Sequence, residues 1–92
     1  MNLAPSEALA RVRNWERKKL KITGIVLTLE SDLTIMFHGR VSVREGAIMF
    51  MGNGSSSGLH ITPIPTMTFS YGDEALQITG LGWRCVLYVS SE

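Results

Sequence analysis

The sequence predicts a mainly β, α+β fold: one N-terminal helix packed on a strongly bent antiparallel sheet or small barrel of about six or seven strands. Three observations carry this. From Leu33 to Val43 the odd positions read Leu, Ile, Phe, Gly, Val, Val and the even ones Thr, Met, His, Arg, Ser, the period-two alternation of a strand with one buried face. Gly39 falls on the apolar phase, where the missing side chain lets the strand bend or a second backbone approach. Helical spacing occurs only near the N-terminus, so no crossover helix is available to build a parallel sheet.

The elements follow in order. Pro5-Ser6-Glu7 reads as a helix start with Ser6 as N-cap. Ala8, Leu9, Val12 and Trp15 then form one apolar stripe, which predicts a helix over residues 6–19. The first strand, residues 20–30, changes apolar phase between Leu20/Ile22 and Ile25/Leu27/Leu29. A bulge or bend at Gly24 would reconcile the two phases. Ser31-Asp32 turns the chain into the long alternating strand. Arg44-Glu45-Gly46 turns it again, into the apolar run Ala47 to Met51. Gly52 to Gly58 is glycine- and serine-rich and reads as an exposed loop. Leu59 to Thr62 is a strand stopped by Pro63 and Pro65, which suits an edge or a crossing. Met67, Phe69 and Tyr71 alternate into the next strand, Gly72-Asp73-Glu74 turns it, and Leu76 and Ile78 mark a short one. After Gly80-Leu81-Gly82, the residues Trp83, Cys85, Leu87 and Val89 give the inward face of the last strand.

At 92 residues the chain is read as a single domain, 1–92, with a small core. Its composition, 45% hydrophobic and 18% charged, is that of a globular chain rather than a disordered one. The net charge of +1 hides an asymmetry. Residues 1–21 carry six basic side chains against Glu7 and Glu16, and the rest carries Arg40, Arg44 and Arg84 against six acids. Cys85 is the only cysteine, so no intrachain disulfide is possible. No signal-like apolar segment is present, and Ala47 to Met51 is far too short to span a membrane. The expectation is a cytoplasmic, unprocessed protein that does not act at a membrane.

Residues capable of chemistry are few. The glycine-rich loop lacks the Gly-Lys-Ser/Thr ending of a phosphate cradle and leads into a strand, so no helix N-terminus awaits an anion. His38 and His60 both fall on outward phases and could approach each other, but a zinc site needs at least a third ligand and Cys85 falls on the inward phase. No nucleophile–base pair is recognisable, and Asp73-Glu74 is turn chemistry. Neither catalytic nor metal residues nor a cofactor is expected. A possible binding face remains: Met36, His38, Arg40 and Arg44 on the outward side of the long strand, with Arg84 and Tyr88 on the last. Basic residues beside an aromatic can neutralise and stack on single-stranded nucleic acid. Apolar residues on outward phases (Met36, Met49, Met51, Val86) would instead serve self-association or a protein partner.

The run Gly39-Arg40-Val41-Ser42-Val43-Arg44-Glu45-Gly46-Ala47-Ile48 after a basic-ended helix resembles the Sm-like small barrel. Gly39 and Glu45 match that family's bend glycine and turn acid. Met49 stands near the place of its RNA-contacting asparagine, and its second motif, Arg-Gly in the loop before the last strand, is not present; Arg84-Cys85 is the nearest candidate and lacks the glycine. The resemblance implies a small barrel and, as an alternative function, single-stranded nucleic-acid binding. The residues themselves favour a non-enzymatic domain that self-associates or binds a protein.

Overall fold

A computed structural model describes residues 2–30, 33–52 and 58–90. In chain order the elements are β1 (Asn2–Leu3), α1 (Pro5–Arg17), β2 (Ile22–Thr28), β3 (Thr34–Arg44), β4 (Ala47–Gly52), β5 (Gly58–Ile61), β6 (Thr68–Gly72), β7 (Ala75–Gly80) and β8 (Trp83–Val89). The strands form one sheet in the order β1-β6-β7-β8-β2-β3-β4-β5, and every pairing is antiparallel. Laid flat, eight strands would be roughly 34 Å wide and only one layer thick. The molecule measures 30 × 28 × 27 Å, so the sheet curls around its own contents. It does not close. The segment 62–67, with Pro63 and Pro65, carries the chain from β5, one edge of the sheet, to β6, beside the other. The expected bent antiparallel sheet is therefore present, with the two-residue β1 added as a strand too short for alternation to reveal.

Gly39 does what its inward phase requires. A Cβ there would lie 1.9 Å from the Met51 carbonyl oxygen, so only glycine lets β4 fold over β3 at this point. Gly24 serves the same end by another route. It faces Phe37 in register, and a Cβ would meet the Phe37 ring at 2.7 Å. Of the bulge or bend expected at Gly24, the bulge does not occur: β2 keeps one continuous register with both β3 and β8. Its phase change has another cause. Ile22, Gly24 and Val26 line the concave side, while Ile25 and Leu27 sit half-buried on the outer side.

The helix starts two residues earlier than Ser6 capping would allow. Ala4 is the N-cap and Pro5 the first helical residue, where a missing N–H costs nothing. The Glu7 carboxylate accepts the Ala4 N–H at 2.8 Å, doing from within the helix what Ser6 does not do. At the other end Lys19 has φ 55°, Lys19 N–H donates to Glu16 O and Leu20 N–H to Trp15 O. That is a Schellman closure with lysine where glycine is usual, so the helix ends at Arg17 rather than 19.

The core lies between α1 and the concave face. Ala8, Val12 and Trp15 pack with Ile22, Val41, Ile48, Phe50, Phe69, Leu76, Ile78 and Leu87. Beyond the end of β2 the helix also covers β3, and Glu16 Oε1 accepts the Val43 N–H at 3.1 Å. Cys85 belongs to the same core at 1% exposure, and burial pushes its thiol from an ordinary 9.0 up to about 12. In the unfolded chain that thiol ionises above its ordinary value while the native one stays protonated. The stabilisation is therefore complete below pH 9.0 and is lost as pH rises from there toward 12. Unfolding titrations are expected to show stability falling by about 1.4 kcal/mol per pH unit in that window, a slope absent in Cys85→Ala.

Candidate functional site

Register decides which of the predicted binding residues share a surface. On the outer side His38, Thr23 and Tyr88 lie in one cross-strand row, with Met36, Ile25 and Val86 beside it and Thr34, Leu27 and Arg84 beyond. Met36, His38, Tyr88 and Arg84 are thus brought together across β3, β2 and β8. Arg40 and Arg44 are not part of that group. Arg40 Nη1 donates to the Lys19 carbonyl oxygen at 2.6 Å, holding the left-handed residue that closes the helix. Arg44 sits at the β3–β4 turn, paired with Ala47.

The row around Thr23 is polar but inward-looking. Thr23 is 3% exposed, and its hydroxyl lies 2.6 Å from Ser90 Oγ and 3.0 Å from His38 Nδ1. With a partner on each side, the buried hydroxyl can donate to one and accept from the other. This arrangement holds the strands together at their least apolar point. His60 is no part of it, and the two histidines do not approach each other as anticipated. It faces Met49, whose other partner is Ser42, so one strand and four residues of register place it roughly 16 Å from His38. Among the described residues no three His, Cys, Asp or Glu side chains could hold a metal ion.

Tyr88 also lines a cleft of about 350 Å³ with Tyr71, Asp73, Glu74, Ala75 and Val89. The Arg11 guanidinium stacks 3.8 Å over the Tyr71 ring. Two carboxylates beside Tyr88 oppose the approach of a phosphate backbone.

Alternation did not reveal the most distinctive surface. Leu33 and Ile35 carry the inward phase and were expected in the core, yet they are 53% and 49% exposed. The helix covers only one end of the concave face. At the other end Ile35, Val26, Phe37, Phe50 and Leu59 wall a cavity of about 380 Å³. A second lobe of about 240 Å³ shares Val26 and Leu59 and reaches Met67, Trp83 and Cys85, with His60 and Thr62 on its wall. The inward-phase Val89, at 40% exposed, marks the opposite limit of the core at the last pair of β2 and β8.

Two turns frame the open end. Leu29 N–H donates to the Gly82 carbonyl oxygen at 2.8 Å, so the segment just after β2 stands beside the β7–β8 turn. Leu29 is 56% and Leu81 81% exposed. With Leu33, Ile35 and Met36 they make an apolar crest that continues over the outer side through half-buried Leu27, Ile25 and Val86. The charged turns lie at the other end: Lys18, Lys19 and Lys21 after the helix, Arg44 and Glu45, Asp73 and Glu74. Position along the sheet, rather than residue type, would have been the signal, and sequence phase does not encode it.

The fold and this end define a class: a mainly β α+β protein whose curled eight-stranded sheet is filled by a helix at one end and, among the described residues, left apolar and open at the other. Comparison with models of protein families, with curated proteins and with solved structures finds no match. No helix is long and apolar enough to cross a membrane among the described residues.

Proposed function

We propose that this domain works by association rather than catalysis, and that its open apolar end is the surface through which it meets a second copy of itself. The crest of Leu29, Leu33, Ile35, Met36 and Leu81 carries this reading. These side chains expose on the order of 500 Å² of apolar surface, near the upper limit of what a monomer ordinarily leaves in water. Charge supports the same orientation. The two framing turns carry Glu30 and Asp32 as their only charges in the sequence, fewer than a contact through the opposite end would bury. Contact through the opposite end would bury lysines and carboxylates of several turns.

The nucleic-acid reading that goes with the Sm-like resemblance has less support. Arg84 and Tyr88 share a face, but Arg40 is engaged with the helix end and Asp73 and Glu74 flank Tyr88. A reducing compartment such as the cytoplasm suits a chain with one buried thiol, and no cofactor is required.

Sedimentation velocity from about 5 to 200 µM is expected to show a concentration-dependent dimer. Leu33→Asp and Met36→Lys, both at exposed positions, are expected to leave the thermal transition in place and give monomers. A wild-type chain that stays monomeric at the highest concentration overturns the proposal, as does a fluorescently labelled oligonucleotide bound in a salt-sensitive manner by a monomeric protein.

A further inference from the structure

We infer that in this dimer each copy inserts Leu81 into the apolar groove of the other, a reciprocal exchange that rests on the self-association reading above. Leu81 is the most exposed large hydrophobic residue of the described chain, at 81%, and it projects between Gly80 and Gly82 at the tip of a tight hairpin. The tip is held in place rather than free, because Gly82 O accepts the Leu29 N–H at 2.8 Å. A firmly held apolar side chain with nothing of its own chain around it is the form that an interface anchor takes.

The groove has the matching chemistry. Its first lobe, about 380 Å³, is lined by Val26, Ile35, Phe37, Phe50, Leu59 and two glycines, which offer no side-chain hydrogen bond or charge. A polar or charged occupant would lose its hydration without replacement, whereas a leucine loses nothing. The cavity remains because α1 does not reach this end, and the two glycines in its lining, Gly52 and Gly58, carry no side chain.

Both parts lie at the same end of the sheet, and this decides the geometry. Trp83, two residues after Leu81, faces Thr28 in register and lines the second lobe, while Ile35 faces Val26 at the wall of the first. A surface holding both a projecting side chain and its receptor can close on itself about a two-fold axis, each Leu81 entering the other groove. Were the two at opposite ends, the contact would be head-to-tail and would grow into a filament. The crest supplies on the order of 500 Å² per copy toward the roughly 800 Å² per partner of a standard interface.

The test compares Leu81→Ala, which removes the inserted side chain from a position already in solvent, with Leu59→Trp, which fills the groove from its shared wall. Each is expected to weaken the dimer at least about tenfold, since two contacts are lost per dimer. Mixed together they are expected to form a heterodimer tighter than either variant alone, because one intact Leu81 meets one intact groove. Tryptophan emission supplies a readout that does not need the Leu59 variant to fold. Trp83 lines the groove while Trp15 is buried at 6% exposure. Diluting the wild type is expected to red-shift its emission, and Leu81→Ala is expected to show that shift at concentrations at least about tenfold higher. If Leu81→Ala dimerises as tightly as wild type while Leu33→Asp does not, the exchange is wrong and the association surface stands. If wild type is monomeric, both fall.

Discussion

Replacing Gly39 with alanine is expected to destabilise the protein by about 3–5 kcal/mol, most of what a chain of this size has. The reason is geometric. The added methyl would sit 1.9 Å from the Met51 carbonyl oxygen and 2.8 Å from the Met51 carbonyl carbon, both backbone atoms that cannot rotate away. Relief requires β4 to lift off β3, and β5 would move with it because it pairs only with β4 among the described residues. The loss would therefore spread through Val41, Ile48 and Phe50, which lie on those strands and hold the helix-facing core together. Gly72→Ala is the control. A Cβ there meets nothing within 4 Å, so its urea midpoint is expected to stay within about 0.5 kcal/mol of wild type. Equal midpoints for the two variants would refute the account of the bend.

The second large effect is expected at Phe50, where alanine should cost about 3 kcal/mol, the low end for a buried phenylalanine. Phe50 is 1% exposed and packs edge-on against Phe37 with ring centroids 4.6 Å apart. It separates the filled half of the concave face from the open half. Its inner side contacts the core, and its other side already borders the groove. Part of the space vacated by the ring thus joins an existing cavity instead of forming a new sealed one, which lowers the penalty. Ile48→Ala, in the same strand and the same cluster at 1% exposure, lacks that outlet. Denaturant unfolding of the two variants should show a loss at Phe50 no larger than that at Ile48, despite the greater volume removed. A markedly greater loss at Phe50 would mean that the groove side is closed in solution.

These two positions also show how unevenly the sequence speaks. The inward glycine, the apolar stripe of Ala8, Val12 and Trp15, the inward thiol of Cys85 and the turns at Glu45-Gly46 and Asp73-Glu74 were all legible, because each is a local matter of period, backbone freedom or turn chemistry. The helix start was misplaced because Pro5 suits the first helical position and Glu7 can reach back to Ala4, which leaves Ser6 without a capping role. The bulge expected at Gly24 was a sound local inference with the wrong cause. Apolar residues on both faces of β2 reflect a strand that is central in the sheet and apolar on its outer side as well. The turn expected at Ser31-Asp32 and the core of the loop after Gly52 lie outside the described residues.

Of the candidate surface, alternation placed Met36, His38, Arg84 and Tyr88 on outward phases correctly, but it could not tell that Arg40 would close a helix end. Nor could it distinguish an inward side chain that is covered from one that is not. Leu33 and Ile35 have the same phase as Val41 and differ from it only in lying beyond the reach of α1. By itself the sequence determined the helix, seven of the eight strands and the need for a bend at Gly39, since these follow from steric and periodic constraints acting within a few residues. The tertiary structure alone decided that the sheet stays open, that the helix fills one end of it, and that an apolar groove with Leu81 beside it remains at the other. Those outcomes depend on where a helix of 13 residues ends against a sheet longer than it can cover, a distance that no local pattern records.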